Sequence, residues 1–238
     1  MHTADTILIV LSGADHWTRT DGSQYATGYW AEEFVVIHEK FIQAGYQVEL
    51  ASPGGVKPTA DWRSLDPQYG GPEAPRYAAY LEQIAASLAH PLRLADVDMG
   101  RYVAVVIPGG HGPAEDLYRD ADMARVLFDA ERTGKVIGSV CHGPAALLSA
   151  VKEDGSWLFA GRRLTGFSDE EEVEFGTAEN APWLLATRLR ELGARYERGP
   201  QNWAPFAITD GKLVTGQNPA SSAATADGVL AVLAGAGR

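Results

Sequence analysis

Lys135-Val136-Ile137-Gly138-Ser139-Val140-Cys141-His142-Gly143-Pro144-Ala145-Ala146-Leu147-Leu148 reads as a short apolar strand, a corner at the chain's only cysteine, and the opening of a helix. A buried strand that turns sharply into a helix N-terminus holds its corner side chain in a fixed direction, as in the nucleophile elbow of hydrolases, and the helix dipole there favours an anion. Cys141 at such a corner is expected to be partly thiolate at neutral pH. Taken without its surroundings, a lone cysteine is better explained as a small buried hydrophobe. The strand before it and the His-Gly-Pro after it favour the nucleophile.

Upstream, Thr6-Ile7-Leu8-Ile9-Val10-Leu11, Gln47-Val48-Glu49-Leu50-Ala51 and Tyr102-Val103-Ala104-Val105-Val106-Ile107 repeat the same short apolar pattern, each closing near Ser, Gly or Pro. Helical patterns fall between and after these runs, at about residues 28–44, 76–89, 115–133 and 142–151. This alternation predicts an α/β fold, a parallel sheet covered by helices on both faces, whose ligands gather at the carboxyl ends of the strands. Cys141 lies at such an end. Ala207-Ile208-Thr209 and Lys212-Leu213-Val214-Thr215, around Asp210-Gly211, predict a small β-hairpin. Residues 53–75, rich in Pro and Gly with Trp62 and Tyr69, read as an inserted surface loop, and so does the acidic stretch 168–174. No internal repeat or second core is visible, so residues 1–238 are expected to form one domain.

The composition narrows the partners. A formal charge of −11 argues against nucleic acid or an anionic membrane surface and favours a small or uncharged substrate. One cysteine allows no intrachain disulfide, and neither a signal sequence nor an apolar run of membrane-spanning length is seen, which predicts a cytoplasmic protein. The six histidines show no metal-ligand spacing, and no phosphate-binding glycine motif occurs. No metal and no cofactor are therefore expected, although ligands brought together only in space would escape this test.

Three further groups can carry chemistry. Pro108-Gly109-Gly110-His111-Gly112 follows the third strand and ends on the same sheet edge as Cys141, where glycine N–H groups can face an oxyanion. Alone, the Gly-Gly pair is equally a tight strand exit, and His111 is either a ligand contact or a solvated loop histidine. Glu33 sits in a helix whose Trp30, Phe34, Ile37 and Phe41 form the buried stripe; it lies about 60° from Trp30 and about 40° from Ile37, while Glu32 projects to the opposite side. A carboxylate at that border either snorkels to solvent or is held near Cys141, where desolvation would raise its pKa and make it a proton carrier. His142 can turn back beside the nucleophile as its base, and its backbone N–H can complete an oxyanion site.

Ser139-Val140-Cys141-His142-Gly143-Pro144-Ala145, Ile107-Pro108-Gly109-Gly110-His111-Gly112, Leu164-Thr165-Gly166-Phe167-Ser168-Asp169-Glu170 and the terminal run from Ile208 through Asn218-Pro219-Ala220-Ser221 together resemble the ThiJ/PfpI superfamily. Within it they are similar to the heat-shock-protein-31-like branch, which includes glutathione-independent glyoxalase III. The cysteine elbow marks only the superfamily; the hairpin with Asn-Pro-Ala-Ser, and a glutamate five residues after Gly28, point to the branch. The resemblance covers nearly the whole chain and implies a flavodoxin-like, class I glutamine-amidotransferase-like α/β fold. It places the nucleophile at Cys141, its neighbouring histidine at His142, the catalytic glutamate at Glu33 and the oxyanion region at Gly110 with the backbone of His142, Gly109 and His111 lying beside it.

What the resemblance implies is a cofactor-independent lyase of methylglyoxal detoxification, acting on a 2-oxoaldehyde and releasing a 2-hydroxy acid through a cysteine hemithioacetal. A homodimer is expected. Two other classes stay open: a stress-response chaperone binding apolar segments through Trp62, Tyr69, Trp157 and Trp183, and a cysteine amidase or peptidase using the same Cys-His pair.

Overall fold

The computed structural model describes residues 5–236; His2 lies outside them. In chain order the elements are β1 (Thr6–Val10), β2 (His16–Thr18), β3 (Gln24–Ala26), α1 (Ala31–Gln43), β4 (Gln47–Ser52), α2 (Pro67–Gly70), α3 (Ala74–Gln83), α4 (Ala85–Ala89), β5 (Leu92–Arg93) and β6 (Ala104–Ile107). They continue with α5 (Ala121–Arg132), β7 (Val136–Val140), β8 (Arg163–Leu164), α6 (Asp169–Phe175), α7 (Leu185–Glu191), β9 (Arg195–Tyr196), β10 (Ala207–Asp210), β11 (Leu213–Gly216) and α8 (Ser222–Ala236). Seven strands form one sheet in the order β10-β11-β7-β6-β1-β4-β5, parallel except at the β10–β11 hairpin. Every residue of β6 and β7 is buried, as sheets clothed by helices on both faces require. The expected α/β architecture is what the chain adopts.

Packing follows the sequence pattern closely where the apolar stripe is strong. Phe34, Ile37 and Phe41 of α1 are fully buried, each adding about 1.5–3 kcal/mol of apolar transfer. Gly138 sits between Val106 of β6 and Val214 of β11, and a Cβ there would stand 2.8 Å from Val229 of α8. The missing side chain lets that helix press directly on the sheet. No helix among the described residues is long and apolar enough to cross a membrane.

Four local expectations need correction. The pattern over residues 76–89 is two helices, α3 and α4, separated at Ile84, and that over 115–133 is a 3-10 turn followed by α5, which starts where the Asp120 side chain caps Met123 N–H at 2.8 Å. The segment after Cys141 is a 3-10 helix, Gly143–Ser149. The acidic stretch is no surface loop. It is α6, opened by a capping box in which the Ser168 hydroxyl and the Glu171 carboxyl satisfy each other's backbone N–H, with Glu171 and Glu172 buried. Residues 53–75 are tied inward at two points: the Asp61 carboxylate accepts the Thr27 hydroxyl at 2.8 Å, and Ser64 Oγ accepts Ala31 N–H at 3.0 Å. The second bond supplies the N-terminal cap that Trp30 cannot provide to α1.

Candidate active site

Cys141 leaves β7 with φ +59°, the left-handed region that costs a side-chain-bearing residue about 1–3 kcal/mol. Three contacts hold it there. Its N–H donates to the Gly216 carbonyl at 3.0 Å, its carbonyl accepts Phe167 N–H at 2.8 Å, and Gly143 allows the chain to turn back, since a Cβ at that position would stand 2.2 Å from the Ile107 carbonyl oxygen. The elbow is therefore imposed by neighbouring strands.

His142 turns back as expected, with Nδ1 3.6 Å from the Cys141 sulfur. Its Nε2 donates to Glu172 Oε2 at 2.6 Å, while His111 Nε2 donates to Glu172 Oε1 at 2.7 Å and the Thr177 hydroxyl donates to the same oxygen. One buried carboxylate thus orients two imidazoles, whose rings lie 4.2 Å apart, and Trp17 stacks on His111 at 4.8 Å. Burial pushes the Glu172 pKa up, but the electrostatic pull and hydrogen bonds of the two histidines outweigh it and hold the carboxyl well below the usual range. Burial moves His142 the other way, down, against the pull of Glu172. A neutral His142 with its proton on Nε2 presents a free Nδ1 lone pair to the thiol.

Glu33 lies on the other side of the cysteine. It is wholly buried; Oε2 accepts Gly109 N–H at 2.5 Å, and Oε1 has no hydrogen-bond partner of good geometry. Burial raises its pKa well above the ordinary glutamate value, which favours the protonated acid, and the unpartnered Oε1 is the atom from which such a proton would reach the Cys141 sulfur. Of the two alternatives for this helix border, the held carboxyl is the one found. Glu32 does not project away: it lines the same cavity, and burial raises its pKa too. The N-terminus of α1 is turned so far into the sheet edge, through Trp30 N–H to the Gly109 carbonyl at 3.1 Å, that both glutamates face the site.

The oxyanion loop needs two corrections. Gly109 has its N–H committed to Glu33 and its carbonyl to Trp30, which leaves nothing to offer a substrate. Gly110, at φ +81°, directs its N–H to the Cys141 sulfur, and a Cβ there would stand 2.3 Å from the Gly28 carbonyl oxygen. His111 is buried and bonded to Glu172, unlike a solvated loop histidine. Burial pushes the Cys141 thiol pKa up, against the expected resting thiolate, and the seven-residue 3-10 helix offers a weaker dipole than the predicted α-helix.

Glu172, Trp17 and Trp203 are absent from the sequence reading. Ser168 followed three residues later by Glu171 was a legible helix start, yet nothing in the sequence places the next glutamate against a histidine thirty positions upstream. His111, His142 and Glu172 offer ligand atoms within 4.8 Å of one another, a two-histidine, one-carboxylate set that spacing could not reveal. The carboxylate already accepts three hydrogen bonds, so an ion would have to displace them. Above the cysteine opens a cavity of about 410 Å³, walled by Trp30, Tyr69, Phe167, Phe175 and Trp203.

The chain is similar over nearly its whole length to proteins already known. Glyoxalase 3 of Candida albicans is 28% identical over 233 residues, 94% of this chain and 97% of that protein, and the crystal structure of glyoxalase III from that organism superposes with a TM-score of 0.82 at 26% identity, covering 96% and 97% of the two chains. The glutathione-independent glyoxalase HSP31 of Saccharomyces cerevisiae is 29% identical over 92% of this chain and 94% of its own. A bovine glutamine amidotransferase-like class 1 domain-containing protein 1 is 31% identical over 94% of this chain and 91% of its own. With the DJ-1/PfpI family model matching residues 25–231, which span the elbow, the glycine loop and both buried glutamates, the chain belongs to the DJ-1/PfpI family.

Proposed function

We propose that the protein is a glutathione-independent glyoxalase that converts a 2-oxoaldehyde such as methylglyoxal, with one water, to the 2-hydroxy acid. The observation that carries this reading is the placement of two buried proton carriers beside one thiol, His142 with Nδ1 3.6 Å from the sulfur and its pKa pushed down by burial, and Glu33 with its pKa pushed well up. Acyl hydrolysis needs only the first; moving hydrogen between adjacent carbons uses both.

In the proposed sequence His142 Nδ1 takes the thiol proton as sulfur adds to the aldehyde carbon, then returns it to the new oxyanion, which the Gly110 N–H helps to hold. The product of this step is a hemithioacetal. His142 next removes the hydrogen on that carbon while Glu33 protonates the neighbouring carbonyl oxygen, giving an enediol. His142 delivers its proton to the second carbon and Glu33 recovers one from the first hydroxyl, leaving a thioester and both groups as they began. Water, deprotonated by His142, cleaves the thioester and the thiol leaves with that proton. Glu172 keeps His142 in the tautomer that each step requires. The names of the similar proteins support the same chemistry.

The holdase reading has lost part of its surface, because Trp157 is 3% exposed and donates its indole N–H to the Leu147 carbonyl. The amidase reading shares the Cys-His pair and differs in not needing Glu33. Purified protein incubated with methylglyoxal in the absence of glutathione, and separately with peptide and amide substrates, should form lactate from the first alone. Amide cleavage without lactate would refute the proposal.

A further inference from the structure

The cavity is much larger than a three-carbon oxoaldehyde requires. At about 410 Å³ it falls in the range that encloses drug-sized molecules, and its wall runs without interruption through aromatic rings from the cysteine to the mouth. Trp30 meets Phe175 edge-on at 6.0 Å, Phe175 lies 6.2 Å from Trp203, and Trp203 meets Phe167 at 5.5 Å, with Phe167 against the His142 ring at 4.6 Å. No lysine or arginine lines it, and Glu32 places a carboxylate on its wall. A substituent carried on the ketone carbon would therefore meet aromatic faces and edges and the Gln68 amide, and no cationic partner for negative charge.

Trp203 is the unusual member of this wall. Among the described residues outside glycine, only Cys141 and Trp203 have positive φ, the latter at +63°, and both line this one cavity. Two glutamates of α6 hold it there: Glu171 Oε1 accepts its backbone N–H at 2.8 Å and Glu174 Oε2 accepts its indole N–H at 2.6 Å. Trp203 is still 40% exposed, so core packing does not account for a strained tryptophan at this position. Its contacts account for it as the outer wall of the pocket.

Resting on the glyoxalase reading above, we infer that this pocket selects 2-oxoaldehydes bearing an uncharged aromatic substituent, and that Trp203 is a specificity-determining residue for them. Stacking on Trp203 and Phe175 supplies the preference. Glu32 and the absence of a cation supply the discrimination against an anionic substituent.

The test compares kcat/KM for phenylglyoxal, methylglyoxal and 4-carboxyphenylglyoxal, each corrected for its uncatalysed addition to a free thiol. Phenylglyoxal should exceed both of the others by about tenfold or more. Trp203→Gly removes the ring and relieves the positive φ, so the fold has no reason to fail, and the ratio of phenylglyoxal to methylglyoxal should drop about tenfold. Methylglyoxal turned over as well as phenylglyoxal, or an unchanged ratio in Trp203→Gly, overturns the selectivity while leaving the glyoxalase reading in place. Failure to turn over any of the three overturns the glyoxalase reading and this inference with it.

Discussion

Glu172→Gln is the substitution on which the proposed mechanism is most exposed. Glutamine matches glutamate in shape, but it offers one acceptor oxygen and one donor nitrogen where the carboxylate offers two acceptors. If the amide oxygen takes the Oε1 position it keeps the hydrogen bonds from His111 and Thr177, whereas in the Oε2 position it keeps only that from His142. The first orientation retains two bonds against one and should prevail. Its NH2 then faces His142 Nε2, which must become the acceptor, so the ring proton moves to Nδ1 and points at the Cys141 sulfur 3.6 Å away. The base is thereby lost without moving an atom of the nucleophile. A wrong-tautomer substitution of this kind in a hydrolase triad lowers kcat by about 10⁴, so a loss of about 10³–10⁴, or about 4–5.5 kcal/mol, is expected here. Two assays keep the result independent of substrate choice: kcat for 2-oxoaldehyde consumption, and the rate at which iodoacetamide alkylates Cys141 at neutral pH. Both should fall, with the circular dichroism spectrum unchanged. A variant that retains both rates within about threefold would refute the argument that Glu172 sets the His142 tautomer.

Cys141→Ser should abolish turnover with the fold intact, as a hydroxyl of similar volume is a far weaker nucleophile; near wild-type rates would exclude the hemithioacetal. Glu33→Gln should lower kcat by about 10²-fold or more while Gly109 N–H keeps its acceptor, and an unaltered kcat would remove Glu33 from the proton path. The two buried glutamates should also leave opposite marks on stability. The pKa of Glu33 is raised by burial, so its contribution is fully present below the ordinary value of 4.5 and lost as pH rises through its folded value; urea melts should show Glu33→Gln gaining on wild type as pH rises above 4.5. The lowered Glu172 contributes above 4.5 and loses that contribution as pH falls through its folded value, so Glu172→Gln should flatten the acid-side decline; the reverse pattern in either variant would mean the protonation states are assigned wrongly. EDTA should neither inhibit nor unfold the protein, since the carboxylate of the His111, His142 and Glu172 cluster is already saturated by hydrogen bonds, and activity lost to EDTA and restored by one divalent ion would show otherwise.

Local pattern in the chain was enough for the frame and for most of the chemistry within one or two residues of the elbow. Apolar runs with Ser, Gly or Pro at their ends are local patterns, so the central strands, the hairpin and the corner at Cys141 were legible, and helical phase alone brought Glu33 to the edge of the buried stripe. The tertiary structure decided everything that depends on which groups share a space. Whether Glu33 is held or solvated turned on Gly109, 76 residues away, whose N–H it takes, and that same bond removed Gly109 from the oxyanion site. Glu172 reaches His142 across 30 positions and His111 across 61, distances over which no periodicity carries information. The acidic run around it looked like a solvated surface because charge predicts exposure only while no buried donor is waiting for it. Protonation followed the same rule. A thiol, an imidazole and two carboxyls take their states from burial and from one another, and those neighbours are chosen by the fold.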